Sequence, residues 1–151
     1  MRITGGKARG IQLKCPLNNI RPATDKIRES IFSSLGPSIK SSNCIDLFAG
    51  TGSYGLEALS RGALYCSFYE KNSIDHLSHN IKSVAKSAKL KNSCFNLLKI
   101  DLLKSTITKP KPKIDFIFLD PPYELLDRES SFLLDDLAYK LADLSTTLIL
   151  E

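Results

Sequence analysis

The chain has 151 residues, of which 42% are hydrophobic and 25% charged, and its formal net charge is +5. These values are ordinary for a single globular domain, and its short apolar runs exclude a membrane-spanning segment. The first residues contain no apolar signal segment, so we expect a cytoplasmic protein. The four cysteines are widely separated and have no CxxC spacing, so we expect reduced thiols and no metal site.

The positive charge is concentrated at the N-terminus. Residues 1–40 contain eight Lys or Arg against two acidic residues, whereas the rest of the chain has a net charge of −1. This asymmetry indicates a polyanionic partner for residues 1–40, although a merely solvated basic face is the alternative.

The N-terminal segment predicts a hairpin followed by a helix. RITGGKARGIQLKC has the pattern of two short strands joined by a turn at Gly5-Gly6. Thr24 is a suitable N-cap for a helix that Gly36-Pro37 would end. The apolar face of this predicted helix consists of Ile27, Ile31 and Leu35.

From residue 43 onward, predicted strands and helices alternate. This order predicts a mostly parallel α/β sheet with helices on both faces. The proline-rich segment 104–113 stands where a crossover helix is expected, and we predict an irregular loop there. The predicted strands are 44–48, 64–70, 94–100, 115–120 and 146–150, and the helices are 54–61, 73–90 and 127–144.

A glycine loop follows the first of these strands. DLFAGTGSYG contains Gly50-x-Gly52-x-x-Gly55, which read literally is a dinucleotide fingerprint with Glu70 as the ribose ligand. The carboxylate of Asp46 argues against that reading, because it would repel a pyrophosphate at the helix N-terminus. A cationic ligand without phosphate suits the loop better, and we predict S-adenosylmethionine.

Acidic residues end three successive strands, and in a parallel sheet those ends share one edge. We assign Asp46 to the amino-acid end of the cofactor, Glu70 to both ribose hydroxyls and Asp101 to the adenine amino group. The alternative is that each acid caps the helix that follows it. The full predicted cofactor-binding set is Asp46, Phe48, Gly50, Gly52, Glu70, Asp101 and Leu102.

The fourth strand of the sheet ends in Asp120-Pro121-Pro122-Tyr123. This sequence resembles the Asp/Asn/Ser-Pro-Pro-aromatic motif of methyltransferases that modify an exocyclic amino group of a base. The Asp120 carboxylate and the Pro121 carbonyl can accept the two amine hydrogens and stabilise positive charge developing on the nitrogen. The two prolines hold that carbonyl in place, and Tyr123 can stack on the base. We therefore predict a catalytic turn formed by Asp120, Pro121, Pro122 and Tyr123.

Five collinear segments resemble one family, the bacterial 16S ribosomal RNA guanine-N2 methyltransferases of the RsmD type, within the class I S-adenosylmethionine-dependent methyltransferases. They are MRITGGKARGIQL, RPATDKIRESIFSSL, DLFAGTGSYGLEALSRGA, the acid of FYEKN, and FIFLDPPYE. The resemblance implies a Rossmann-like fold and methylation of N2 of guanine 966 in 16S ribosomal RNA, within the 30S subunit or its assembly intermediate.

The resemblance also implies a division of labour along the chain. Residues 1–40 would form an RNA-binding extension, and residues 41–151 would form the S-adenosylmethionine-binding methyltransferase domain. The RNA contacts implied are Arg2, Lys7, Arg9, Arg21, Thr24 and Arg28.

The chain departs from the family pattern after the fifth strand. Family members continue with an antiparallel strand pair, whereas this sequence stops at LILE. We therefore expect the fifth strand to be an exposed apolar edge. The alternatives are a DNA adenine-N6 methyltransferase, an RNA-binding relative with impaired catalysis and, more distantly, an NAD-dependent oxidoreductase.

Overall fold

The computed structural model describes residues 1–16, 24–105, 107–122 and 128–150, except for the side chains of residues 24 and 128–133. Within these ranges the main elements alternate from residue 43 onward, as predicted. The helices are α1 (Thr24–Leu35), α2 (Ser53–Arg61), α3 (Ile74–Ala88) and α4 (Arg128–Leu141). The strands are β1 (Asn43–Leu47), β2 (Tyr65–Glu70), β3 (Phe95–Lys99), β4 (Phe116–Leu119) and β5 (Thr147–Leu150).

The five strands form one parallel sheet in the order β3-β2-β1-β4-β5, which confirms the predicted sheet. Strand β1 lies at the centre, with Asp46 opposite Phe68 of β2 on one side and Phe118 of β4 on the other. The strand order reverses beside β1, and ligands of such sheets bind at the carboxyl ends of the strands at that point.

Successive strand residues point to opposite sides of the sheet, so the sheet has two apolar faces. Helices cover both of them. One face packs Cys44, Phe68 and Phe118 against α2, α3, Phe32 of α1 and the N-terminal segment. The other face packs Ile45, Leu47, Ile117 and Leu119 against α4, which contributes Leu134, Leu137 and Leu141. All four cysteines are free thiols, two of them in the first of these layers.

The N-terminal segment pairs with itself, but the predicted turn is in the wrong place. Arg2 forms an antiparallel bridge with Gln12, and the chain between them makes a longer loop. Gly6 (φ +75°) lies against the backbone of Ser60, where an added Cβ would clash. The Lys7 amide donates to the Ser60 carbonyl at 2.8 Å, so the loop tip caps the C-terminal end of α2. The glycines therefore permit close packing against a helix instead of forming a two-residue turn.

The buried face of α1 also differs from the prediction. Ile27 is 42% exposed, whereas Arg28 and Phe32 are each 1% exposed. Phe32 packs against Tyr54 and Phe118, and Arg28 donates to a buried carboxylate on α2. Tertiary partners thus decide which residues of this helix are buried.

That carboxylate is Glu57, which is fully buried in the middle of α2. It accepts hydrogen bonds from the Thr4 amide and hydroxyl, both at 2.8 Å, and from Arg61 Nε at 2.7 Å and Arg28 Nε at 3.4 Å. Arg28 donates in turn to Asp25 at 2.8 Å and to the Arg2 carbonyl. This network, called the Glu57 network below, joins the N-terminal segment, α1 and α2.

The remaining expectations concern the loop after β3 and the sheet edge. The described part of residues 104–113 contains no helix, as predicted from its prolines. Strand β5 is the outermost strand of the described sheet, and Leu148 and Leu150 are 45% and 60% exposed. None of the described helices combines the length and the apolar content needed to cross a bilayer.

We predict that Glu57→Gln lowers the free energy of unfolding by about 3–5 kcal/mol, since Arg28 and Arg61 lose the buried carboxylate that they share and Arg28 keeps only the partly exposed Asp25. Urea denaturation followed by circular dichroism measures this loss. Asp136→Asn is the matched control, because it breaks an ion pair with Lys140 in which both side chains are about half exposed. The control should change stability by less than about 1 kcal/mol. Equal effects of the two substitutions would show that the Glu57 network is energetically unimportant.

Candidate active site

The glycine loop between β1 and α2 is held in an uncommon backbone conformation. Phe48, Gly50 and Gly52 have φ angles of +55°, +53° and +78°. A positive φ is unfavourable for an aromatic residue and costs on the order of 1–3 kcal/mol. Two bonds to the end of β2 hold the loop in place, from the Ala49 amide to the Tyr69 carbonyl and from the Gly50 amide to Glu70. Such strain is typical of ligand sites.

Each of the three glycines in this loop is a glycine for a different physical reason. A Cβ on Gly52 would lie 2.5 Å from Leu77 Cδ1, and one on Gly55 would clash with Phe68, so packing excludes side chains there. A Cβ on Gly50 would meet nothing nearer than the Phe48 carbonyl at 3.9 Å. Gly50 therefore presents open backbone at the carboxyl end of β1, where a ligand could approach closely.

Asp46, the acid of β1, is 2% exposed and accepts a hydrogen bond from the Gly55 amide at 2.8 Å. Burial, together with the nearby carboxylates of Asp120 and Glu70, raises the pKa of this carboxyl to about 8, against the hydrogen bond from Gly55 that lowers it. Asp46 is therefore mostly protonated at neutral pH. A cation beside it would favour the ionised form.

Glu70, at the end of β2, accepts three backbone amides. The Gly50 amide donates to Oε2 at 2.7 Å, and those of Asn72 and Ser73 donate to Oε1 at 2.7 and 3.0 Å. Glu70 thus caps the start of α3, as the alternative interpretation of the strand-end acids had it. A carboxylate has about four acceptor positions, so about one remains, enough for one ribose hydroxyl and not for the two that we predicted.

Asp101 follows β3 and forms an ion pair with Lys71 at 2.9 Å. The hydrogen bond from Lys71 lowers the pKa of the Asp101 carboxyl below its usual value. The Leu103 amide donates to the same carboxylate at 3.2 Å, and Leu102 packs its side chain into the layer beneath. Asp101 therefore lies at the expected edge, and its bonds to Lys71 and Leu103 leave acceptor positions for an adenine amino group.

The Asp120 turn completes the edge on the other side of β1. Leu119 pairs with Leu47, so Asp120 follows at the level of Phe48, and its charge contributes to the raised pKa of Asp46. Pro121 is buried and Pro122 is exposed. Tyr123, the predicted stacking residue, lies outside the described residues. The carboxylates of Asp46, Glu70 and Asp120 are thereby brought together at the switch point of the sheet.

An aromatic cluster supports this turn, and the sequence reasoning did not identify it. Tyr54 and Phe118 stack with ring centroids 5.6 Å apart, and Phe32 lies 5.5 Å from Phe118. Phe118 stands two residues before Asp120, so the cluster fixes the end of β4 against α1 and α2.

Asn80 is a second residue that the sequence reasoning missed. It is fully buried; its Oδ1 accepts the Lys14 amide at 2.8 Å, and its Nδ2 donates to the carbonyls of Lys14 and Thr51, both at 3.0 Å. It joins the N-terminal segment to the glycine loop. The available signal was a polar residue within the apolar stripe of α3, next to Leu77 and Ile81.

The predicted RNA contacts separate into three groups. Arg2, Lys7 and Arg9 are exposed, so phosphates could reach them. Arg28 is 1% exposed and engaged in the Glu57 network, so the prediction that it contacts RNA is wrong. Arg21 and the side chain of Thr24 lie outside the described residues. Among the described residues, no group of three or more His, Cys, Asp or Glu is arranged to hold a metal ion.

Comparison with known proteins identifies relatives along most of the chain. The family model "Conserved hypothetical protein 95" matches residues 1–140. The chain is 38% identical to ribosomal RNA small subunit methyltransferase D of Haemophilus influenzae, with 82% of this chain and 64% of the relative aligned. It is 35% identical to the protein of the same name in Escherichia coli K12, over 90% of this chain and 67% of the relative. The chain thus spans about two thirds of the length of these curated relatives.

A solved structure extends the comparison to the fold. The candidate methyltransferase yhhF of Escherichia coli superposes with a TM-score of 0.73 at 31% identity, covering 99% of this chain and 80% of that one. The predicted Rossmann-like class I methyltransferase fold is thereby confirmed. The chain belongs to the ribosomal RNA small subunit methyltransferase D family, the family of "Conserved hypothetical protein 95".

Proposed function

We propose that the chain transfers a methyl group from S-adenosylmethionine to the exocyclic N2 amine of guanine 966 in 16S ribosomal RNA, in the 30S subunit or its assembly intermediate. The observation that carries this proposal is the position of the Asp120 turn, beside Asp46 and the open backbone of Gly50 at the carboxyl ends of β4 and β1. The names of the aligned relatives support a ribosomal RNA substrate.

The residues at the edge fit the proposed cofactor. Three carboxylates surround the glycine loop, which favours a ligand with a sulfonium and an ammonium and disfavours a pyrophosphate. When bound, S-adenosylmethionine supplies an electrophilic methyl group. In this proposal Asp46 accepts from the ammonium, Glu70 from one ribose hydroxyl and Asp101 from the adenine amino group, while Phe48 and Leu102 border the site.

The Asp120 turn would do the remaining chemistry by positioning the amine. An aromatic amine is a weak nucleophile, because its lone pair is delocalised into the ring. The Asp120 carboxylate and the Pro121 carbonyl accept its two hydrogens and hold the lone pair toward the methyl group. Both acceptors would also stabilise the positive charge that develops on the nitrogen, until Asp120 or water takes the proton that the methylated amine loses. Because Pro121 is buried, its carbonyl is fixed before the substrate arrives.

The test of the proposed function is methyl transfer to three substrates: unmethylated 30S subunits, naked 16S ribosomal RNA and duplex DNA. We expect transfer to one or both RNA substrates, with the methyl group mapped to N2 of guanine 966 by mass spectrometry of nuclease fragments. Methylation of adenine in DNA would replace this proposal with the DNA alternative. Absence of transfer despite cofactor binding would favour a relative with impaired catalysis.

We predict that Asp120→Ala lowers the turnover number by ~10²-fold or more, by analogy with the loss of a single oxyanion-hole donor in other enzymes. Single-turnover assays at saturating RNA measure this loss. The affinities for cofactor and RNA, measured separately, should change little. Asp136→Asn, an exposed substitution on α4, is the control. A near-normal rate for Asp120→Ala would remove this carboxylate from the reaction.

Cofactor binding should release a proton from Asp46. In the free protein its raised pKa, about 8, keeps it largely protonated at pH 7, and a bound cation would lower that pKa. Affinity should therefore rise with pH, by up to about tenfold per unit, and become constant above about pH 8. Calorimetry in buffers of different ionisation enthalpy measures the released proton directly. Asp46→Asn should abolish the release, and an unchanged release in that variant would assign the proton to another group.

The same group links pH to the stability of the free protein. The pKa of Asp46 is about 8 when folded and 3.8 in the reference state, so between these values the folded form holds the additional proton. Its contribution to the free energy of unfolding therefore decreases as pH rises from about 4 to about 8.

A further inference from the structure

The two edges of the sheet differ in charge, because the carboxyl edge mixes acids with exposed lysines such as Lys71 and Lys104, whereas the opposite edge bears mostly lysines. The carboxyl ends of the strands bear Asp46, Glu70, Asp101 and Asp120. The segments that precede the strands, at the opposite edge, bear five exposed lysines, which we call the basic edge: Lys40, Lys89, Lys91, Lys111 and Lys113.

Backbone contacts place the lysine-bearing segments in one row. Lys91 precedes β3 through a short turn, Lys40 precedes β1, and Lys113 precedes β4. The Asn43 side chain donates to the Lys113 carbonyl at 3.0 Å, which ties the last two segments together. With strands about 4.8 Å apart, the three strand spacings from β3 to β4 give the row a width of about 14 Å.

Lysines outnumber the acidic residues beside this row. Residues 36–42, 86–94 and 107–113 contain no Asp or Glu. Two acids lie close by: Asp143 is paired with Lys109 at 2.5 Å and also interacts with Lys113, and Asp115 accepts the Asn43 amide at 2.8 Å. Within the described residues, none of the five lysines of the basic edge forms an ion pair.

The basic edge is continuous with the N-terminal loop. Helix α2 runs from the glycine loop toward the amino ends of the strands, a length of about 13 Å for nine residues. The loop tip is bonded to its far end, through the Lys7 amide and the Ser60 carbonyl. The carbonyl of Gly62, which ends α2, accepts the Ser41 amide at 2.8 Å beside Lys40. The loop tip that carries Lys7 and Arg9 therefore lies at the basic-edge end of α2, at the opposite end from the glycine loop.

We propose that the basic edge is a second RNA-binding surface, which holds phosphates of substrate RNA distant from the target nucleotide. This inference rests on the proposed function for the identity of the RNA. The carboxylates of Glu70 and Asp120 disfavour phosphates at the carboxyl edge, whereas the basic edge attracts them. The residues from Lys113 to Asp120 span about 20 Å, so RNA that touches both edges must extend well beyond the methylated loop.

The test compares Lys111→Gln/Lys113→Gln with the unmodified protein on two RNAs, full-length 16S ribosomal RNA and a short hairpin carrying the target guanine. For the long RNA, we expect weaker binding at low salt. The slope of log affinity against log salt should fall by about 0.7–0.9 for each phosphate that the variant no longer neutralises. For the short hairpin, affinity and turnover at saturating RNA should be unchanged. Filter binding at several salt concentrations measures the slopes, and a thermal melt verifies that the variant is folded.

Lys82→Gln is the control, because Lys82 is exposed on α3 and lies outside the basic edge. For each charge removed, Lys82→Gln should lower the slope for the long RNA by less than Lys111→Gln/Lys113→Gln does. An unchanged slope for Lys111→Gln/Lys113→Gln, or an equal effect of Lys82→Gln, would overturn the inference. A reduced slope in a protein that methylates neither of these RNAs nor unmethylated 30S subunits would support the surface while refuting the proposed function. Normal methylation with an unchanged slope would support the proposed function while refuting the surface.

Discussion

The buried carboxylate of Glu57 connects the parts of this protein that must act together. Helix α2 begins at the glycine loop and ends against the N-terminal loop, and Glu57 lies between these two ends. Through Thr4 and Arg28 it also fixes the N-terminal segment and α1 to the helix. A buried ion pair contributes little net stability compared with apolar packing, but it admits few alternative arrangements. We infer that its main contribution is to hold the N-terminal segment in a defined position relative to the glycine loop.

A second polar contact has a similar effect from the other side of the glycine loop. Asn80 on α3 bonds both backbone groups of Lys14 and the carbonyl of Thr51. Together with the bond from Gly50 to Glu70, this holds the loop in its strained form without a ligand. The entropic cost of ordering the glycine loop is therefore met largely during folding. More of the interaction energy between loop and cofactor is then available for cofactor affinity. The protonation of Asp46 is consistent with this arrangement, since its burial, and to a smaller extent the carboxylates of Asp120 and Glu70, raises its pKa.

The alternation of strands and helices could be predicted because each buried strand has a local apolar pattern and each following helix has its own period. The strand-end positions of Asp46, Glu70, Asp101 and Asp120 followed from that order. The errors arose where a distant residue decides the local structure. Nothing within α1 reveals that Arg28 is buried, because its partner Glu57 lies twenty-nine residues away. Likewise Gly5-Gly6 has the composition of a turn, and only the position of α2 shows that these glycines permit helix packing. The three amides bound by Glu70 depend on loop geometry that spacing does not encode.

The separation of charge between the two edges follows from the chain direction in a parallel sheet. All strands point the same way, so residues after the strands collect at one edge and residues before them collect at the other. A cationic cofactor requires acids at the first edge, and those acids make it unsuitable for a phosphate backbone. Under the proposed function, most of the RNA backbone would therefore bind away from these acids, and one base would enter the carboxyl edge. The N-terminal loop meets this requirement, because its docking on α2 carries Lys7 and Arg9 away from the acids. Under the proposed function, RNA recognition would extend from the N-terminal loop onto the basic edge and would be spatially separate from catalysis.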